Sequence, residues 1–194
     1  MRRIERILWI ITGLGLVLKL LHLPLANFMF IIGTSTLMMI YFFFSWLFLP
    51  TPTRKHQHIG LSILAGMALT FLLEGILFKL QVWPLATFNL LIGLVLGGLT
   101  AVLTLWITRR RTDLLEYNRA IMLRLVPLML CGALLYPISA SSIMHFHLRG
   151  KSALEIELHD QLLLEENPDV KDRIRQRLDS LNEAEVRAEM EQHR

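Results

Sequence analysis

Five long apolar runs, separated by prolines or basic residues, constrain this chain more than any other feature. They lie at roughly 7–23, 26–49, 59–80, 85–107 and 120–146. Crossing about 30 Å of hydrocarbon takes roughly 20 helical residues. In hydrocarbon, a spanning segment must satisfy its own backbone hydrogen bonds, so apolar runs of this length fold as helices. The expectation is an all-α membrane protein with five transmembrane helices. A membrane domain at 1–149 is followed by an extramembrane helical tail at 150–194.

The connectors set the sidedness. Segments one and two meet at His22-Leu23-Pro24-Leu25, and segments three and four at Gln81-Val82-Trp83-Pro84. Both are tight turns without acidic residues, where proline stops one helix and starts the next. The alternating connectors are basic: Arg2, Arg3 and Arg6; then Arg54 and Lys55; then Arg109, Arg110, Arg111 and Arg119. By the positive-inside rule the basic connectors face the cytoplasm and the proline turns face out. The expected location is a bacterial inner membrane, with a cytoplasmic N-terminus and a periplasmic tail. The opening basic residues and apolar run do not read as a cleaved signal, because Lys19 interrupts the run and no small-residue cleavage site follows.

Charge is distributed unevenly. Residues 151–194 hold 7 Lys/Arg and 12 Asp/Glu, whereas residues 1–150 hold 13 Lys/Arg and 4 Asp/Glu. The basic excess flanks the apolar runs, so it signals topology and lipid headgroup contact and not nucleic-acid binding. Segment five carries Arg124, Pro127, Pro137 and Ser139-Ala140-Ser141-Ser142. It reads as a span with Arg124 snorkelling near its cytoplasmic end, or as a re-entrant hairpin that would return the tail to the cytoplasm.

The tail reads as two helices. Ser152-Ala153-Leu154-Glu155 offers a capping box for the first, which carries Leu154, Ile156, Leu158, Leu162 and Leu163. Asn167-Pro168 starts the second, with Val170, Ile174, Leu178 and Leu181 on one narrow stripe. Partner subunits are expected on Leu154–Leu163 and Val170–Leu181; the lipid bilayer is the other partner.

The first four segments repeat. At an offset of 60, residues 13–33 match 73–93 at 9 of 21 positions without a gap. The matches include Gly15/Gly75, Lys19/Lys79, Pro24/Pro84 and Gly33/Gly93. Two-span units enter the membrane in the same sense, so a pseudo-twofold along the membrane normal is expected. Gly15 and Gly75 permit close helix approach. Lys19 and Lys79 reach the outer headgroups, and His22 and Trp83 sit at the interface.

Gly15-x-x-x-Lys19-x-x-His22, then a turn and Ile32-Gly33, resembles the two-span membrane hairpin of the inner-membrane motor protein of Bacteroidetes gliding motility and type IX secretion. Gly75-x-x-x-Lys79 with Trp83-Pro84 is similar again, and the likeness covers roughly one third of the chain. The resemblance implies a shared helical hairpin. The family's buried glutamate is replaced by Leu37 and Gly97, so motor activity is not implied.

Glu74 lies inside segment three, where an ionisable group costs roughly 2–3 kcal/mol or more and needs a reason. Ser62, Gly66, Thr70 and Glu74 recur at four-residue steps, as do Asn89, Gly93, Gly97 and Ala101 in segment four. Glu74 and Asn89 are expected at similar depth and facing each other. Two His-x-His pairs occur, His56/His58 and His145/His147. On the expected topology His22, His145 and His147 share the outer side, where a metal site could use them, but no carboxylate or cysteine cluster supports one. The lone Cys131 excludes an internal disulfide and reads as a small buried side chain. No metal or cofactor is expected, and no nucleophile elbow, phosphate loop or dinucleotide fingerprint occurs. These features point to a non-catalytic multi-pass subunit of a membrane complex. A small transporter or channel using Glu74 comes next, and a membrane enzyme with an outer-side histidine site comes third.

Overall fold

The computed structural model describes residues 2–21, 25–48, 59–110, 114–147, 153–165 and 167–192, and among these it is helical with no strand. The helices are α1 (Arg2–Leu20), α2 (Ala26–Phe48), α3 (Ile59–Leu80), α4 (Ala86–Arg110), α5 (Leu115–Leu135), α6 (Ala140–His147), α7 (Ala153–Leu164) and α8 (Pro168–Gln192). Four are long and apolar enough to cross a membrane: α2 over Ala26–Ser45, α3, α4 and α5. The chain divides into two compact units, Met1–Pro137 and Ile138–Arg194. That boundary precedes the expected 149/150.

The same region corrects the expected fifth segment. Instead of one run over 120–146, α5 starts at Leu115 and ends at Leu135, and α6 is a separate short helix. Tyr136 still holds helical geometry, its N–H bonded to the Gly132 carbonyl, but Pro137 has no N–H with which to extend the ladder. The Ser139 hydroxyl then accepts a hydrogen bond from the Ser142 backbone N–H at 3.1 Å, which caps a new N-terminus. Pro127 stays inside α5. At 21 residues α5 is about 31 Å long, enough to span without α6.

In the first unit α3 is the central helix, with neighbours α2, α4 and α5 around it. Its buried residues Leu61, Ala65, Ala68, Leu69, Leu72 and Leu73 meet Leu37 and Tyr41 of α2, Leu90 of α4, and Ile121, Leu125 and Leu128 of α5. Apolar side chains also cover much of the unit's outside, including Ile10, Phe42, Val102 and Leu134. Helix α1 inverts the pattern of a water-facing amphipathic helix. Its polar residues Glu5, Thr12 and Lys19, seven apart, are buried, while Ile4, Ile7, Ile10, Leu14 and Val17 are exposed.

Several features of the α1–α2 pair recur 60 residues later in α3–α4. A Cβ added to Gly15 would stand 2.7 Å from the Phe30 backbone N, and one added to Gly75 2.7 Å from that of Leu90. A Cβ on Gly33 would press on Thr12, and one on Gly93 on Leu72. Both turns end on a leucine in the left-handed region, Leu25 at φ 66° and Leu85 at φ 62°. The carbonyls of those leucines accept from Met29 N–H at 3.0 Å and Asn89 N–H at 2.9 Å. The glycines let the backbones touch, which is how helices gain attraction where the solvent is itself apolar.

The second unit holds a helical hairpin. Leu158 of α7 packs with Ile174 and Leu178 of α8, and Leu162, Val170 and Leu181 close around them. Helix α8 begins as expected at Pro168, and the Asn167 side-chain oxygen accepts from Asp169 N–H at 3.0 Å as the N-cap. Ser152 of the expected capping box lies outside the described residues, as do the side chains of Ile156 and Leu163. Leu154 is exposed.

Backbone contact at glycine makes a sharp expectation. Gly75→Ala should destabilise the first unit by about 1–3 kcal/mol, because a helix backbone cannot step aside for a methyl group. Gly98→Ala, with nothing within 4 Å of the added carbon, should be neutral or slightly stabilising. Thermal unfolding of the two purified variants in one detergent checks the contrast.

Candidate functional site

The most elaborate polar site in the first unit joins α1, α2 and α5. Glu5 takes a two-pronged contact from Arg124, Nε to Oε1 at 2.5 Å and Nη2 to Oε2 at 2.8 Å. The Tyr41 hydroxyl donates to Glu5 Oε1 at 2.6 Å and itself accepts from Trp9 Nε1 at 3.0 Å. Arg124 Nη1 also donates to the Ala120 carbonyl at 2.7 Å. Glu5 is 3% exposed and Tyr41 fully buried. A planar guanidinium matches a carboxylate in this side-on fashion, and further hydrogen bonds offset the cost of taking both charges from water. Arg124 was expected to snorkel; it turns inward to Glu5, 119 residues away in sequence.

Other polar contacts stitch neighbouring helices. The Ser62 and Tyr117 hydroxyls share a 2.5 Å hydrogen bond between α3 and α5. The Asn118 amide donates to the Thr108 hydroxyl at 2.6 Å between α5 and α4. Thr100, Thr104 and Thr108 each donate to the carbonyl one turn back in α4, which keeps hydroxyls satisfied without water.

The lysines also turn inward. Lys19 Nζ donates to Asn27 Oδ1 at 2.9 Å and to Gln81 Oε1 at 3.0 Å, and Lys79 Nζ to Thr87 Oγ1 at 3.2 Å. Both lysines are buried, so the expected reach to the headgroups is corrected: each ammonium closes its own hairpin, and Lys19 also bridges to the neighbouring one. Trp83 packs edge-on against Phe78, ring centroids 5.2 Å apart, and both Trp83 and Pro84 are exposed. His22, Pro24, His56 and His58 lie outside the described residues.

The expected pairing of Glu74 with Asn89 is not made. Asn89 is buried beside Leu90, the residue that packs on Gly75, and no hydrogen bond joins it to Glu74 among the described residues. Between Leu61 and Lys79 the unburied residues of α3 are Ile63, Leu64, Met67, Phe71, Glu74 and Phe78. Glu74 therefore sits on the one open stripe of the central helix, half-buried, with no described side chain bonded to its carboxyl. The small-residue stripe also divides. Gly66 fits against Tyr41 and Ser45 of α2, Gly93 against α3, and Gly97 against Met129 of α5. The Gly93–Gly97 pair thus serves two interfaces and not one.

In the second unit His145 of α6 donates from Nε2 to Asp160 Oδ2 of α7 at 2.7 Å, and the Ser141 hydroxyl donates to Oδ1 at 3.0 Å. The His145 hydrogen bond, then that from Ser141, hold the Asp160 carboxyl below the usual carboxylate range. The side chain of His147 lies outside the described residues. Cys131 is half-buried in α5.

No protein-family model, curated protein or solved structure matches the chain.

Removing one partner of the Glu5–Arg124 pair strands the other. Glu5→Leu or Arg124→Leu should each cost roughly 3–5 kcal/mol, and the double variant clearly less than the sum. Thermal unfolding of the four proteins of this cycle is the measurement. The Asp160 tie has a pH sign. Its folded midpoint is depressed, so its contribution is present above about pH 4 and is lost as pH falls through that lower value. Carbon-13 NMR titration should place the Asp160 midpoint below the free value, and His145→Ala should raise it.

Proposed function

We propose that this chain is a non-catalytic, multi-pass subunit of a larger membrane complex, acting as a packed scaffold in a bacterial inner membrane. On this reading α1 is a fifth span, and α1–α2 and α3–α4 are tandem copies of one hairpin. The observation that carries it is the inward turn of Glu5, Lys19, Lys79 and Arg124, each bonded to a neighbouring helix. Charges tied up in helix-to-helix bonds hold the bundle together, which suits a scaffold. The exposed isoleucine face of α1, opposite its buried Glu5 and Lys19, suits lipid despite the helix's charge. The contacts recurring at an offset of 60 support the duplication. The basic residues at the starts of α1 and α5 and the end of α4 support a cytoplasmic N-terminus, and five spans carry the tail to the periplasm.

A conducting role has one observation in its favour, the carboxyl of Glu74 without a bonded partner among the described residues. The two readings separate on Glu74→Gln, which keeps shape and hydrogen-bonding capacity but cannot cycle a proton. A scaffold variant should assemble and support the cell normally. A variant that assembles normally yet abolishes function replaces the scaffold with a conductor.

Purification in a gentle detergent should recover a stoichiometric complex with other membrane subunits. A purely homo-oligomeric particle rejects the scaffold. For sidedness, a cysteine at Ser180 in a Cys131→Ser background should react with an impermeant thiol reagent on spheroplasts. Labelling only after permeabilisation places the tail in the cytoplasm and removes one span.

A further inference from the structure

We infer that the open stripe of α3 centred on Glu74 is the docking surface for a transmembrane helix of another subunit, one that presents a lysine or arginine at that depth. The inference rests on the subunit reading above and names the place where the partner sits.

Three observations converge on this stripe. First, α3 is enclosed by α2, α4 and α5, and its unburied residues form a single face: Ile63, Met67, Phe71, Glu74 and Phe78 follow at steps of four, four, three and four. A face of that spacing is what one further helix covers. Second, the face carries a carboxyl about 9 Å from the outer end of the helix, a depth at which an ionisable group is costly unless partnered. Third, the fold handles its other deep charges by pairing. Glu5 has Arg124, and Lys19 and Lys79 have side-chain oxygens on the neighbouring helix. Among the described residues Glu74 has no such bond, and it lies on the side of α3 that the described helices of the first unit leave open.

Charge complementarity selects the occupant. A second copy docking through the same face would bring two carboxylates together. A lipid acyl chain would leave the carboxyl unsatisfied. A basic side chain on an apolar helix completes the arrangement already seen between Glu5 and Arg124, here across a subunit boundary.

The test uses the full chain in its native membrane. A photoreactive benzoylphenylalanine at Met67 should crosslink a transmembrane segment of a different protein, with a lysine or arginine within a turn or two of the crosslinked residue. The same probe at Leu130, on an exposed face of α5, should not capture that segment. Recovery of that protein with the purified chain should fall roughly 3–20-fold in Glu74→Leu and no more than about 3-fold in Glu74→Gln. Equal thermal midpoints of the isolated variants exclude misfolding as the cause. Glu74→Lys combined with a glutamate in place of the partner's basic residue should restore recovery. A Met67 crosslink to a second copy, to lipid only, or to a segment without a basic residue overturns the inference. So does full recovery with Glu74→Leu, which leaves the subunit reading intact. Failure of the wild-type chain to yield any heteromeric complex overturns both.

Discussion

The pairing of Glu5 with Arg124 ties the beginning of the first unit to its last helix. Helices α1 and α5 are separated by three helices in sequence, and the contact fixes which face of α1 turns inward. Rotation would carry Glu5 out of reach of a guanidinium whose other nitrogen is anchored on the Ala120 carbonyl. Tyr41 adds a direction to the bond, and Trp9 holds Tyr41 from the α1 side. With that rotation set, Thr12 and Lys19 also face inward and the isoleucines of α1 face out. Breaking such a pair is costly because the stranded charge has no water to turn to.

Glycine contacts supply what the charges do not. Gly15 against Phe30 and Gly75 against Leu90 bring backbones together immediately below the two turns. Leu25 and Leu85 hold a left-handed conformation that costs on the order of 1–2 kcal/mol, a strain that survives only where the surroundings over-determine it. Here the surroundings are the close glycine contact on one side and the lysine-to-oxygen bond across the turn on the other. A hairpin built from these parts is held at its turn end by backbone and polar contacts and does not depend on apolar attraction, which is weak in hydrocarbon.

Local signals in the sequence translated well. Length and apolar composition place α3 at its observed ends, and Asn167-Pro168 marks the start of α8 because capping and first-turn proline act within one turn. The apolar stripe Val170, Ile174, Leu178 and Leu181 identifies the face that meets α7. The failures are non-local. Arg124 reads as a snorkelling residue because nothing in its own helix announces Glu5. The inward turn of Lys19 and Lys79 depends on Asn27, Gln81 and Thr87, whose roles emerge only when the turns are closed. The end of α5 was legible in Pro137 and the Ser139 cap, but the apolar run continuing beyond them masked it. The 60-residue offset was visible as identities, whereas the contacts made by Gly15 and Gly75 required coordinates.

The position of Glu74 follows from the same packing. One residue earlier, a carboxyl would replace buried Leu73; one later, it would stand where Gly75 already touches the Leu90 backbone. Ile63, Leu64, Met67, Phe71 and Phe78 are the other positions of α3 between Leu61 and Lys79 that α2, α4 and α5 leave unburied. Glu74 is therefore half-buried on the open stripe, with its carboxyl bonded to no described side chain. The charges at Glu5, Lys19, Lys79 and Arg124 are explained by the bundle itself. The carboxyl of Glu74 has no bonded partner among the described residues, and for that reason it carries the proposed contact with another subunit.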